Sequence, residues 1–246
     1  MRITRLAILT LALGALAGPS AVVSATDDPV DAVLAGHLSS LGGPKALAAL
    51  DSLEISGTYT FNGEAGRFVL YRQRPDAFRL EIELGERKSI EAHGPDGAWA
   101  FSSRRGGETR RLEGDRARLL REEWGDFTSP LLSSANQVTW IAREDLDGRL
   151  CDHLRLTHAS GGIEDWYLDA GDHTVVRRTS TQAGRRGDYQ RTWYFEAYRR
   201  HDGVLVPELF EREDRQHVRT FEVREITSNP ELSAELFALP PEVADP

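Results

Sequence analysis

The sequence predicts an α+β protein built on a strongly curved antiparallel β-sheet, an incomplete barrel of about eleven strands closed by a few short helices. Two observations support this prediction. Apolar residues recur at every second position in many short segments, and turn signals, rather than helices, separate most of these segments. Such a chain of neighbouring strands forms an antiparallel meander. A long meander with few helices cannot cover a broad apolar face while flat, so we expect the sheet to curl.

The chain begins with the pattern of a secretory signal peptide, which we assign to residues 1–25. Arg2 and Arg5 precede a short apolar run, and Val23-Ser24-Ala25 provides the small residues of a cleavage site. The apolar run is too short to span a membrane. We therefore expect cleavage near Ala25 and a soluble periplasmic protein in which residues 26–246 form one domain. No cysteine stands at the new N-terminus that cleavage would create, so we expect no lipid anchor, and we expect no transmembrane segment in the mature chain.

The composition restricts the classes of partner. The chain has 30 basic and 39 acidic residues and a formal charge of −9. A nucleic acid or an anionic membrane surface repels such a chain, so we expect no nucleic-acid partner. Cys151 is the only cysteine, so the chain can form no internal disulfide. Its place in a predicted strand is typical of a small buried residue.

The first elements after the leader are two helices. In "DDPVDAVLAGHLSSLGGPKALAAL", apolar residues recur at spacings of three and four, as on one face of a helix. Gly42-Gly43 ends the first helix, and Pro44 fits the first turn of the second. The period then changes to two in "LEISGTYTF", "RFVLYRQRP" and "DAFRLEIEL", where "NGEAG" marks a hairpin turn. These segments begin the predicted sheet.

One helical segment interrupts the strands, between residues 112 and 135. Leu119, Leu120 and Trp124 recur at helical spacing, Gly125 ends the helix, and Ser129-Pro130 can start a short second one. Strands then resume as far as "QHVRTFEVREI". Within "GVLVPELFERE", Pro207 cannot donate to a strand ladder, so we expect an edge position or a bulge there.

Catalytic and metal-binding patterns are missing from the sequence. It contains no G-x-S-x-G or S-x-x-K nucleophile motif and no glycine-rich phosphate loop. His153 and His158 lie five apart on one predicted strand, so they face opposite sides and cannot chelate together. We expect no enzyme activity, no metal and no cofactor. The carboxylate pairs Glu122-Glu123, Glu164-Asp165 and Glu213-Asp214 are interpreted as an acidic surface, and "RRGGETRR" as a hairpin tip.

Aromatic and aliphatic side chains on successive strands are the candidates for ligand binding. In a closed small domain they would form an ordinary core, whereas in a curled sheet they would line a concave interior suited to lipophilic ligands. The predicted cavity residues are Phe78, Leu80, Ile82, Trp99, Phe101, Trp140, Trp166, Trp193 and Phe195. The predicted lid residues are Leu119, Leu120 and Trp124.

The order of these elements resembles the outer-membrane lipoprotein-sorting protein family, the LolA/LolB-like proteins. The segments that carry the resemblance include "HLSSLGGPKALAALDSLEISGTYT", "DGRLCDHLRLTHASGGIEDWYLDA", "YRRHDGVLVPELFE" and "ITSNPELSAELFALPPE". The resemblance spans nearly the whole chain after the leader. It implies a half-barrel whose cavity receives lipoprotein acyl chains in the periplasm, with a lid at Gly114–Trp124 and residues 126–135. The chain lacks a lipobox cysteine, which distinguishes it from the lipidated acceptors of that family.

The leading hypothesis is therefore a soluble periplasmic carrier for a lipidic ligand, either lipoprotein acyl chains or another lipid. An envelope regulatory or protein-interaction module on the same fold is the alternative, and it predicts a stable envelope-protein partner. An exported hydrolase is the lesser alternative. It predicts a turnover that is lost when His93 or His153 is replaced.

Overall fold

Thirteen antiparallel strands and a few short helices make up the part of the chain that the computed structural model describes, residues 29–125, 128–182, 187–215 and 217–244. The predicted signal peptide lies outside these residues. The helices are α1 (Pro29–Ser40), α2 (Gly43–Ala48), α3 (Gly114–Trp124) and α4 (Pro241–Ala244), with 3-10 turns at Ser103–Arg105, Pro130–Leu132 and Ala234–Leu236. The strands are β1 (Ser52–Phe61), β2 (Glu64–Gln73), β3 (Ala77–Leu84), β4 (Arg87–Gly94), β5 (Gly97–Ser102), β6 (Glu108–Leu112), β7 (Gln137–Leu146), β8 (Arg149–Thr157), β9 (Ile163–Asp169), β10 (Val175–Gln182), β11 (Tyr189–His201), β12 (Val204–Asp214) and β13 (His217–Ser228).

The strands follow one another as two meanders that meet in the middle of a single sheet. The strand order is β6-β5-β4-β3-β2-β1-β13-β12-β11-β10-β9-β8-β7, so the first strand pairs with the last. β6 and β7 are therefore the two edges. The connection between them, residues 113–136, has to pass from one edge to the other. It carries α3 over the sheet.

The prediction of about eleven strands is too low. β6 is a strand that the sequence signals poorly, because "ETRRL" is largely charged and lacks an apolar alternation. It pairs with β5 from Ala98↔Leu112 to Ser102↔Glu108. It is thus the return strand of the hairpin whose tip was predicted. The sheet is not closed within the described residues, which is consistent with the predicted curved half-barrel.

The break between the first two helices occurs at Gly42 and Gly43, as predicted, and it is docked on the sheet. Gly42 has a φ of +118°, and a Cβ there would lie 2.3 Å from the carbonyl oxygen of Gly203 in the β11–β12 turn. The Leu205 N–H also donates to the Leu41 carbonyl oxygen at 3.0 Å. Glycine is therefore required at position 42, and the helix pair is held against this hairpin.

Pro207 marks a bulge, as its missing N–H predicts. The register between β11 and β12 shifts on both sides of Ala197, and Tyr198 pairs with Pro207. β12 pairs with β13 only from Leu209 onward. The proline thus lies where no ladder hydrogen bond is needed from it.

One face of the sheet, here called the covered face, carries α1, α2 and α3. A larger apolar cluster joins α2 and α3 to β1–β3 and β11–β13, and a smaller one joins α1 and residues 130–132 to β8–β10. Phe195 packs against both clusters. Phe210 and Phe221 stack near the centre, with ring centroids 4.9 Å apart. The two clusters therefore form a continuous layer.

The C-terminal segment covers part of the opposite face. Trp99 packs with Ile90, Ala92 and Leu239 in a third apolar cluster, and its Nε1 donates to the Phe237 carbonyl oxygen at 3.2 Å. The neighbouring residues of β5 lie on the covered face, where Ala98 belongs to the larger cluster. β5 is thus buried on both of its faces.

Replacing Gly42 by alanine should destabilise the fold more than the same change at Gly43. Both residues have positive φ, so each change introduces backbone strain of about 1–2 kcal/mol. A Cβ at Gly43 meets nothing within 4 Å, whereas one at Gly42 overlaps the Gly203 carbonyl. We expect Gly42→Ala to cost a further 1–3 kcal/mol or so, measured as the free energy of unfolding in urea. Equal losses in the two variants would contradict the docked helix pair.

Candidate functional site

A cavity of about 180 Å³ lies between the helices and the covered face. α1, α3 and residues 128–130 form one side of it, and side chains of β1, β2 and β9–β13 form the other. Most of the wall is apolar, including Ile55, Leu70, Leu205, Val206, Phe210 and Val223. Four charged residues also line it, namely Arg72, Glu122, Glu123 and Arg178. The site therefore combines an apolar interior with a localised set of charges.

Four of the predicted residues line this cavity. Trp166 on β9 and Trp193 and Phe195 on β11 come from the sheet, and Trp124 comes from the end of α3. The rings of Trp124 and Trp193 meet edge to face, with centroids 5.3 Å apart. These aromatic side chains bring the predicted lid and the predicted sheet face into direct contact.

Other predicted residues lie on the covered face or α3 without lining the cavity. Phe78, Leu80 and Leu120 are buried in the larger apolar cluster, and Ile82 packs against it. Trp140 packs against the smaller cluster, and its Nε1 donates to Asp152 Oδ1 at 3.2 Å. Leu119 borders a separate depression beside β9 and β10.

Trp99 and Phe101 lie away from the cavity, which corrects their assignment to the same face as Phe78. Trp99 pairs with Ala92, while Phe78 pairs with His93 and His93 with Ala98. Paired residues share a face, so Phe78 and Ala98 point to the covered side and Trp99 to the other. The C-terminal segment buries that second face, and this explains why the largest side chains of β5 point outward.

Glu123 is a buried carboxylate at the cavity wall. Its side chain is only 8% exposed, and it accepts hydrogen bonds from Arg191 Nη1 at 2.6 Å and from Arg212 Nη1 at 2.7 Å. Arg191 lies on β11 and Arg212 on β12. The carboxylate therefore joins α3 to two strands of the sheet.

The end of α3 is held by two further arginines. Arg72 Nη2 donates to the Trp124 carbonyl oxygen at 2.6 Å, and Arg178 Nη2 donates to the Glu123 carbonyl oxygen at 3.3 Å. The last carbonyls of a helix have no partner within the helix, and their partial negative charge favours cations. These two contacts complete the attachment of α3 to the covered face.

The interpretation of the carboxylate pairs as an acidic surface is wrong for at least one member of each pair. Glu164 and Asp214 are buried like Glu123. Glu164 accepts from Trp166 Nε1 at 2.8 Å, and Asp214 lies 2.9 Å from Arg219 Nη1. For the strand residues the period-two pattern contains the missed signal, because Glu164 and the buried arginines each lie two residues from an inward aromatic side chain. The pairs are Glu164/Trp166, Arg191/Trp193, Arg212/Phe210 and Arg219/Phe221.

His37 is a second buried polar group in the cavity wall. It is 1% exposed; its Nδ1 lies 2.9 Å from the His173 carbonyl oxygen and its Nε2 lies 3.0 Å from Ser129 Oγ. These contacts join α1 to the turn between β9 and β10 and to the segment after α3. Burial lowers the pKa of His37, because the charged form is the harder one to desolvate.

Metal ligands do not converge in the part of the chain that the structure describes. No group of three or more His, Cys, Asp or Glu there is arranged to hold a metal ion. His153 contacts Glu144 and Asp165, whereas His158 faces Glu164. The two histidines thus lie on opposite sides of the sheet, as predicted. No helix among the described residues is long and apolar enough to cross a membrane.

Glu123→Gln should lower the free energy of unfolding by about 3–5 kcal/mol at neutral pH, because it leaves buried arginines without their partner. Burial raises the pKa of Glu123, but Arg191, Arg212 and Arg178 outweigh burial and hold the pKa below its usual value. The stabilisation is therefore present above the unfolded pKa, near 4.5, and is lost as the pH falls through the lower folded pKa. Urea unfolding at a series of pH values measures it.

The matched control for Glu123→Gln is Glu86→Gln, at an exposed turn residue, which should change the free energy of unfolding by less than about 0.5 kcal/mol. A stability difference for Glu123→Gln no larger than the control's would contradict the role of the buried carboxylate. So would a difference that persists undiminished well below pH 4.5.

The wild-type protein should lose more stability than His37→Gln as the pH falls below neutrality. The folded-state pKa of His37 is lowered from 6.5 by burial, so its contribution is present above pH 6.5 and is lost as the pH falls towards the folded value. Thermal unfolding of both proteins between about pH 7.5 and 5 measures this difference. Parallel pH profiles would exclude His37 as the titrating group.

Comparison with known proteins supports the fold. No protein-family model matches the sequence, and no curated protein matches it. A DUF1329 family protein from Desulfovibrio piger matches the structure with a TM-score of 0.58 and 13% identity, over 86% of this chain and 98% of that chain.

Two further solved structures match comparably well. A LolA superfamily protein from Nitrosomonas europaea gives a TM-score of 0.56 at 14% identity, over 82% of this chain and 97% of that chain. An outer membrane lipoprotein-sorting protein domain from Vibrio parahaemolyticus gives 0.53 at 12% identity, over 84% of this chain and 94% of that chain. The resemblance read from the sequence is thus confirmed at the level of fold: this chain is similar in structure to LolA superfamily and lipoprotein-sorting proteins.

Proposed function

We propose that this protein is a periplasmic carrier that binds a lipidic ligand, such as lipoprotein acyl chains, and catalyses no reaction. The observation that carries the proposal is the apolar cavity between α3 and the covered face. The structural likeness to a lipoprotein-sorting domain supports it, and so does the secretory leader that the sequence predicts. The carrier would keep acyl chains out of water while they cross the periplasm.

Burial of acyl chains would drive binding. Each buried methylene contributes about 0.8 kcal/mol, and the contribution does not depend on direction. The branched and aromatic side chains of the wall, such as Val206, Phe210 and Val223, can contact a flexible chain without specific hydrogen bonds. The fold thus suits a ligand defined by its apolar tail.

The size of the cavity indicates that α3 moves when a ligand enters. A volume of about 180 Å³ is below the roughly 300–1,000 Å³ of most small-molecule pockets, and a cavity of about 150 Å³ holds only a molecule the size of benzene. α3 can enlarge it, because side-chain contacts hold this helix whereas ladders of backbone hydrogen bonds hold the strands. We therefore assign α3 the role of a lid.

A second candidate, an envelope protein-interaction module, is favoured by the β7 edge. β7 pairs with β8 alone in the described sheet, and Ile141 on it is 41% exposed. An unpaired edge with apolar side chains can accept a strand of another protein. This candidate requires no occupant in the cavity.

Native mass spectrometry distinguishes the two candidates. The protein, purified from an exported fraction without detergent, should carry an adduct that extracts into organic solvent and contains an acyl chain. A clean mass that stays unchanged after incubation with phospholipid and acylated peptide would contradict the carrier and favour the interaction module.

Phe195→Asp should weaken acyl-chain binding at least about tenfold, equivalent to about 1.4 kcal/mol, because it places a charge in the cavity wall. Phe101→Asp is the matched control, since Phe101 is a half-buried aromatic residue on the opposite face. Titration with a fluorescent fatty acid measures both affinities. Equal losses in the two variants would place the ligand outside this cavity.

A further inference from the structure

We propose that the buried arginines beside the cavity bind the anionic headgroup of an amphiphile, a carboxylate or a phosphate, while its acyl chain occupies the apolar part. This inference rests on the proposed carrier function and names the class of ligand. The arginines are Arg178, Arg191, Arg212 and Arg219.

The cluster contains four arginines and four carboxylates. The acidic side chains among these arginines are Glu91, Glu123, Glu164 and Asp214. Burial raises the pKa of Glu91, which favours its uncharged form and leaves the arginines with an excess of positive charge. Glu122, which also lines the cavity, is paired with Arg118 at 2.9 Å. The described cluster can therefore accept one further anion.

Several guanidinium nitrogens of the cluster are buried without a hydrogen bond. Within the described residues, Nε of Arg178, Arg191 and Arg212 have no acceptor. The nearest carboxylate oxygen of Asp214 lies 3.9 Å from Arg191 Nε and 3.7 Å from Arg212 Nε, beyond hydrogen-bonding distance. A buried donor without a partner is costly and rare in native proteins. An anion from outside would supply the missing acceptors.

Arg178 brings one of these N–H donors without an acceptor to the cavity wall. The residue is 8% exposed and lines the cavity together with Trp166 and Trp193. Its Cζ lies 5.5 Å from the ring centroid of Trp166 and 5.1 Å from that of Trp193. The two indoles hold the guanidinium in place, with its Nη2 on the Glu123 carbonyl and its Nε unused.

The chemistry of guanidinium selects the ligand class. Its planar array of N–H donors matches the oxygens of a carboxylate or a phosphate, and charge-assisted hydrogen bonds of this kind are stronger than neutral ones. A neutral headgroup would leave the buried charges as they are. A ligand with one anionic group and one acyl chain would satisfy both parts of the site.

Binding of matched amphiphiles to the purified protein tests the inference. The probes are dodecanoate, dodecyl phosphate, the neutral dodecanol and inorganic phosphate alone, titrated by intrinsic tryptophan fluorescence at neutral pH. We expect the wild-type protein to bind each anionic amphiphile at least about tenfold more tightly than dodecanol. Inorganic phosphate alone should bind far more weakly, because it lacks the acyl chain.

Substitutions at two adjacent arginines supply the matched control. Arg178→Gln should abolish the preference, so that the anionic probes bind no more tightly than dodecanol to the same variant, and Arg178→Lys should keep part of the preference. Arg177→Gln should change neither, because Arg177 lies over Tyr167 on the opposite face, 4.1 Å from its ring centroid. Binding of dodecanol to Arg178→Gln also reports that the variant is folded.

The outcomes separate this inference from the carrier proposal. Equal wild-type affinities for dodecanol and dodecanoate would overturn the headgroup site but would remain consistent with the proposed carrier function. Failure to bind any of the amphiphiles would overturn both. Phosphate binding as tight as that of dodecyl phosphate would indicate a site for a free anion and overturn the headgroup assignment. Equal effects of the Arg177 and Arg178 substitutions would indicate a general effect of charge and also overturn it.

Discussion

The buried contact of Glu123 with Arg191 and Arg212 is the interaction on which the arrangement of the site depends. The strand order sends the connection between β6 and β7 across the sheet, but it does not fix how closely that connection approaches the face. The carboxylate sets the distance, since its two oxygens meet arginines on two different strands at 2.6 and 2.7 Å. Breaking such a pair leaves uncompensated buried charge. α3 is thereby closed over the cavity by a specific ionic contact as well as by apolar packing.

The same contact connects structure with the proposed function. A lid held only by apolar packing would close over an apolar ligand or over an empty cavity alike, whereas one held by an ion pair responds to charge. Arg178 lies between the lid and the cavity and contacts the backbone of Glu123. An anionic headgroup beside Arg178 would interact electrostatically with the same arginines that hold Glu123 and therefore the lid. Ligand recognition and lid position therefore depend on one set of residues.

Much of the fold could be predicted from the sequence, and much of the site could not. The change of period at Leu53, the Gly42-Gly43 break and the bulge at Pro207 are local signals with local physical causes. The outward position of Trp99 depends on Phe237 and Leu239, which lie far away in sequence, so alternation alone cannot reveal which face is buried. Local sequence analysis also places Glu123 wrongly, because carboxylates are usually exposed. The arginines that pair with it lie on strands some 70 and 90 residues later in the chain.

Movement of α3 on ligand binding is the central claim, and a distance measurement tests it most directly. Spin labels on cysteines placed at Arg116 on α3 and at Arg224 on β13, both exposed, with Cys151 replaced by alanine, report the separation of lid and sheet by pulsed electron spin resonance. The account predicts that saturating dodecanoate lengthens this distance. An unchanged distance distribution in the ligand-saturated protein would contradict it.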